Sequence, residues 1–263
     1  MFYPFTNYSI YSNMDVNAKL FIDNVGLTNF THKIAINNLV LNLKTNNLWN
    51  KFVAIYPLIG GTATTHKYNL KDPQDLDASF RLVFSGGITH DSNGVTGNGT
   101  NGYARTNVIP STHLSLNNSS GFVYSRTNTA GEYVDLGSIK SGAPQDRFQI
   151  NGRNASNNFT SACNDTTLSS VASSNSNGFI GISRTASGNY FQNRNTTQSN
   201  VSVTSTALNA VELYFMAVNS GGPANYSPRN YAFACIGEGL TASQTNILYN
   251  IVQIYQTKLN RNV

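Results

Sequence analysis

Read for spacing alone, the chain changes character twice. Ala18, Phe21, Ile22 and Val25 fall at i, i+3, i+4 and i+7, and Ile36, Leu39, Val40 and Leu43 repeat the pattern. Such a stripe occupies one face of an α-helix, and Gly26 supplies a stop after the first. Trp49, Phe52, Val53 and Tyr56 share the spacing, so a third helical piece is expected before Pro57 and Gly60-Gly61. From about residue 78 the period becomes two. Residues 80–84, 121–125, 179–182, 211–216 and 231–236 read as strands, with weaker candidates at 102–106, 112–116, 133–139, 147–151 and 188–193. Clusters of Gly, Asn and Ser separate them, the turn chemistry of antiparallel structure. At the end a helix returns. Thr241 and Gln244 have capping-box spacing, and Ile247, Leu248, Ile251, Val252, Tyr255 and Leu259 share one face.

This pattern predicts an all-β jelly-roll sandwich with short N-terminal helices and one C-terminal helix. The expected organisation is an extended arm at residues 1–13, a helical segment at 14–60, and a sandwich at 61–263 that carries a helix at 241–260. Phe2, Tyr3, Phe5, Tyr8 and Tyr11 make the arm aromatic without a helical period. They suit either a strand laid on the domain itself or an anchor on a neighbouring subunit.

Composition narrows the picture. A chain of 263 residues with 40 % hydrophobic positions can bury a core without disulfides or metal. Charged residues make up only 11 %, whereas Asn alone is about one residue in seven. Asn favours turns and also suits a surface that meets sugar hydroxyls. The formal net charge is +5, but Lys and Arg are scattered, so no nucleic-acid partner is expected. Residues 1–10 carry neither a basic n-region nor an apolar h-region, and no apolar run is long enough to span a membrane. Neither a secretory leader nor membrane insertion is therefore expected. Cys163, in a polar loop, and Cys235, in an apolar run, read as two free thiols.

Candidate chemistry is sparse. The three glutamates, Glu132, Glu212 and Glu238, show no paired-carboxylate motif, and Glu132 and Asp135 would face opposite ways on a strand. His32, His66, His90 and His113 lack metal-ligand spacing. The reading is therefore a non-enzyme with no cofactor and no metal. Asp91-Ser92-Asn93-Gly94 lacks the later acidic ligand of a calcium loop and reads as a plain loop. Asp72, Asp75 and Asp77 are expected to cap turns and pair with Arg81. Sugar recognition needs an aromatic face beside hydrogen-bonding groups. Asn101 with Tyr103, Tyr124 with Arg126, Tyr190 with Asn193, and Asn225 with Tyr226 supply such pairs.

One longer string carries a resemblance. Leu48-Trp49-Asn50-Lys51-Phe52 runs on through Tyr56-Pro57-Leu58-Ile59-Gly60-Gly61 and His66-Lys67-Tyr68-Asn69-Leu70-Lys71-Asp72-Pro73. It continues through Phe84-Ser85-Gly86-Gly87 to Asn98-Gly99-Thr100-Asn101-Gly102-Tyr103. With Ser183-Arg184-Thr185-Ala186-Ser187 and Phe233-Ala234-Cys235-Ile236-Gly237, it is similar to virion proteins of phages and prophages of Bacteroidetes hosts. That family has concanavalin A-like (laminin-G-like) domains of tail-fibre or spike type, and the resemblance spans about residues 14–263. It implies a homo-oligomer in the virion, made in the host cytoplasm and released by lysis, with other virion proteins as partners. The family gives no catalytic residues to carry over. Three functions stay open: binding of a host-surface glycan, a purely structural role as a vertex, penton-like or decoration subunit, and glycan depolymerisation.

Overall fold

The computed structural model describes residues 13–263. The aromatic positions Phe2, Tyr3, Phe5, Tyr8 and Tyr11 lie outside the described residues. Two antiparallel sheets pack face to face into a concanavalin A-like jelly-roll sandwich, with helices laid on one of them.

The first sheet has eight strands. Its order is β13 (Thr197–Val201), β12 (Tyr190–Arg194), β11 (Gly178–Arg184), β6 (Ser119–Ser125), β17 (Asn230–Gly237), β4 (Gly94–Gly97) and β3 (Ile88–Asp91), with β1 (Phe52–Tyr56) beside β17. The second has nine. Its order is β10 (Ser169–Ala172), β9 (Asn158–Asp165), β8 (Arg147–Asn151), β7 (Leu136–Ile139), β14 (Tyr214–Phe215), β5 (Tyr103–Arg105) and β2 (Val83–Ser85). The short strands β15 (Val218–Asn219) and β16 (Pro223–Ala224) attach at β7.

The helical layer follows from the stripes. Helices α1 (Val16–Val25) and α2 (Phe30–Thr45) bury the predicted apolar residues, and Gly26 ends α1 in the left-handed conformation. Two single-turn helices, α3 (Ala63–His66) and α4 (Pro110–His113), lie in connections. Helix α5 (Ala242–Lys258) begins with the Thr241–Gln244 capping box. Side chains of α1, α2 and α5 form one apolar cluster with Phe122, Phe179, Phe233 and Cys235 on the outer face of the first sheet. Val123, Ile180, Ile182, Ala234 and Ile236 point the other way and meet Phe148, Ile150, Leu136 and Phe215 of the second sheet. The centre of the first sheet is therefore buried on both faces. Gly181 makes its helical side possible: a Cβ there would stand 2.1 Å from the Phe122 ring, which stacks on Phe179 at 4.9 Å.

Several expectations need correction. Residues 52–56 form β1, not a third helix, after one 3-10 turn at Trp49–Lys51. The segment is apolar on both sides because it lies between helices and the opposite sheet, and such a run mimics helical spacing. Residues 112–116 are no strand, since Pro110 at the first position starts α4. Only Tyr214 and Phe215 of the 211–216 stretch pair as a strand. Residues 88–97 form a hairpin, with Ser92-Asn93 at its tip and Asn93 N–H donating to Asp91 Oδ1 at 2.7 Å. Cys163 lies in β9, not in a loop, and both thiols are free and buried. The acidic turn behaves as expected: Arg81 pairs with Asp75 and Asp77, and Ser79 donates to Asp72. No helix among the described residues is long and apolar enough to cross a membrane.

A histidine pair locks the turn before α3. His66 Nε2 accepts from Gly61 N–H at 3.1 Å, so its Nδ1 carries the proton toward His90 Nδ1, also at 3.1 Å. Burial, then the neighbouring His90 and Arg261, lower the His66 pKa to about 3. The unfolded chain binds this proton near the ordinary value of 6.5, so stability is full above that pH and falls as pH drops toward 3. Urea midpoints measured between pH 7 and 4 should decline less steeply for His66→Gln than for the parent. In the same assay at pH 7, Leu248→Ala should cost about 2–5 kcal/mol, because Leu248 is fully buried between α5 and the sheet.

Candidate binding face

The second sheet turns its outer face away from the helical layer. Phe84, Ala104, Phe215, Leu136 and Ile150 point inward, so the alternation of the pleat sends their neighbours outward. Register then aligns Val83, Arg105, Tyr214, Gly137, Gln149 and Ala162 in one row across β2, β5, β14, β7, β8 and β9.

Three half-buried tyrosines gather at one end of this face. The Tyr103 ring lies 4.9 Å from Tyr214 and 6.1 Å from Tyr226. Tyr226 is braced by its hydroxyl, which donates to the Pro223 carbonyl at 2.9 Å. Beside the rings, Arg105 Nε donates to Glu212 Oε2 at 3.0 Å, and Glu212 Oε1 accepts from Asn107 N–H at 2.6 Å. The ion pair raises the Arg105 pKa, and burial, followed by Glu212, raises that of Tyr214. The arrangement offers an aromatic platform with a fixed cation and carboxylate at its edge, the parts that a polyhydroxylated ligand engages.

Two strands away the face deepens into a groove of about 190 Å³, with Glu132, Arg147, Gln149, Asn151, Val218 and Asn225 among its lining residues. The Asn225 amide donates to the Glu132 carbonyl at 2.8 Å, and Val134 N–H donates to the Asn225 carbonyl at 2.8 Å. These bonds tie the Tyr226 loop to the groove rim. Below the rim, Arg229 reaches across from β17. It donates to Asp135 Oδ1 at 2.6 Å, to the Thr129 carbonyl at 2.8 Å and to the Arg153 carbonyl at 2.6 Å. Asp135 also accepts from Gly152 N–H at 2.7 Å and from the Tyr231 hydroxyl.

The candidates from sequence divide cleanly. Tyr103, Tyr226 and Asn225 reach the open face. Asn101 is exposed, but its Oδ1 accepts from Gly87 N–H and the Asn98 amide, which holds a turn. Tyr124 and Arg126 are committed elsewhere: Tyr124 OH donates to Gln253 on α5, and Arg126 Nε donates to the Arg261 carbonyl. Tyr190 lies between the sheets against Ser161, and Asn193 is buried on the first sheet. All four belong to strand segments of a sheet covered on both sides, or to their immediate ends, which is why a sugar does not reach them. Sequence reading missed Tyr214, Arg105, Glu212, Arg147 and Gln149. The alternation of Gln149 between Phe148 and Ile150 was the available signal.

No family model matches the chain, and no curated protein matches it. Solved structures do. Trypanosoma rangeli sialidase, in complex with 2,3-difluoro-KDN, aligns with a TM-score of 0.55 at 9 % identity, over 85 % of this chain and 40 % of its own. A mutant of that sialidase displaying trans-sialidase activity aligns at 0.53 and 11 % identity, over 85 % of this chain and 39 % of its own. Domain 4 of AbnA, a GH43 extracellular arabinanase from Geobacillus stearothermophilus, in complex with arabinotriose, aligns at 0.49 and 14 % identity, over 76 % of this chain and 98 % of its own. This chain thus spans about 40 % of the sialidase chain that it matches. The likeness establishes a β-sandwich fold found in glycan-acting proteins. It also corrects the expectation of a non-enzyme, because enzymes stand among the matches.

Arg229 and Asp135 are both fully buried. Replacing Arg229 by Ala leaves an uncompensated carboxylate and should cost about 3–5 kcal/mol. Chemical denaturation of the variant checks this, and an unchanged midpoint would show that the pair does not hold the rim.

Proposed function

We propose that this protein is a virion surface protein of spike or fibre type that binds a host-surface glycan through the outer face of its second sheet. The observation that carries the reading is the cluster of Tyr103, Tyr214 and Tyr226, partly open to solvent on a sheet face that no helix covers among the described residues. Ring faces stack on the C–H faces of sugars, and the Arg105–Glu212 pair can take hydroxyls at the edge. Two further supports are the likeness to sialidases in fold and the resemblance of residues 14–263 to phage virion proteins. Weak binding at one site suffices if many copies act together on a particle.

A second reading, a structural virion subunit, is favoured by an apolar groove between α2 and α5. Ala35, Leu39, Ile251 and Tyr255 line it, and Ile254 stands exposed at its side. In that reading the helical layer meets neighbouring subunits.

A glycan array probed with the oligomeric protein separates the two. Reproducible binding that falls on the order of tenfold in Tyr214→Ala, about 1.4 kcal/mol for one aromatic contact, is expected. An array with no signal from intact oligomer favours the structural subunit, and release of shortened chains from a bound polysaccharide would make the protein a depolymerase.

A further inference from the structure

Resting on the glycan reading, we infer that the ligand is a neutral oligosaccharide chain lying across the strands. In this arrangement, Tyr214 holds one sugar, and the Gln149–Arg147 groove reads the hydroxyls of another.

Geometry sets the length. Tyr214, Gly137 and Gln149 stand in register on three adjacent strands, β14, β7 and β8. Strands are spaced about 4.8 Å apart, so Tyr214 and Gln149 are roughly 10 Å apart, and Tyr103 lies one strand further out. A single sugar ring does not cover both ends, whereas a short chain does. The loop carrying Asn225 and Tyr226 joins the two: Asn225 lines the groove, and the Tyr226 ring lies beside Tyr103.

Chemistry sets the class. Gln149 is 7 % exposed, and its Oε1 has no hydrogen-bond partner. The buried Nε of Arg147, two residues earlier on the same strand face, also has none. Arg147 Nη2 is held by Gln145 Oε1 at 2.6 Å. Leaving such atoms unpaired costs the folded state, so their persistence beside a groove marks them for a ligand. One needs a donor and the other an acceptor, and hydroxyls are both. A carboxylated sugar could meet Arg147, whose Nη2 is already held by Gln145, but would set its anion against the Gln149 oxygen and the Glu132 side chain in the same groove. Val134, Ile139 and Val218 supply the apolar wall that a sugar ring packs against.

The test uses the full chain with cello-, laminari-, manno- and arabino-oligosaccharides of one to six units, beside oligogalacturonides as acidic controls, titrated calorimetrically. One neutral series should gain at least tenfold in affinity between one and four units and then level off. Gln149→Met keeps the length of the side chain and removes the orphan oxygen. It should melt at the same or a higher temperature and lose about tenfold in tetrasaccharide affinity, while monosaccharide binding stays. Tyr214→Ala should weaken both. Affinity independent of chain length overturns the inference while leaving glycan binding intact. So does a Gln149→Met variant that melts lower yet binds the tetrasaccharide unchanged, which would assign the orphan oxygen to a structural water. Tighter binding of oligogalacturonides overturns the neutral class, and no binding to any series overturns the glycan reading as well.

Discussion

The buried pair of Arg229 and Asp135 holds the two sheets to each other beneath the open face. Arg229 comes from the entry of β17 in the first sheet, and Asp135 precedes β7 in the second. The guanidinium also gathers the carbonyls of Thr129 and Arg153, so two loops converge on one cation. A buried charge pair contributes little net stability against an apolar substitute. What it provides is position: apolar packing tolerates sliding, whereas a guanidinium with several fixed acceptors does not. The rim around Glu132 and Val134 inherits that rigidity.

The rest of the molecule is asymmetric about this anchor. One sheet is coated by α1, α2 and α5, and its central strands are apolar on both faces. The other carries its apolar core inward, and its outward row mixes Val, Arg, Tyr, Gly, Gln and Ala. Recognition by that row needs no moving part, because each side chain is fixed by a strand or by a bonded loop.

Much of the fold could be read before the structure. The stripes at Ala18–Val25 and Ile36–Leu43 became helices, and the Thr241–Gln244 box opened the last helix as expected. Strands at the sandwich centre, such as β6, β11 and β17, were legible because they are long and apolar. Other elements were not legible, each for a local reason. Phe52–Tyr56 is buried on both sides, and residues 88–97 and 158–165 mix their few apolar residues with Ser, Thr, Asn and Asp, so neither pattern shows a clean period. The site was half legible. Tyr103 and Tyr226 announced themselves as aromatics near turns, whereas Tyr190 looked the same and is buried between sheets. Pairing register, which sequence does not display, decides which tyrosine faces water.

The two cysteines have a consequence for the redox conditions under which the fold persists. Cys163 and Cys235 are free and fully buried, and burial pushes the Cys163 thiol up to about 12 and the Cys235 thiol well above its ordinary value. Exchange and oxidation proceed through thiolate, which is scarce at neutral pH for such groups. The fold therefore waits for no oxidant and fears no reductant. It can be completed in one redox environment and used in another without any covalent change.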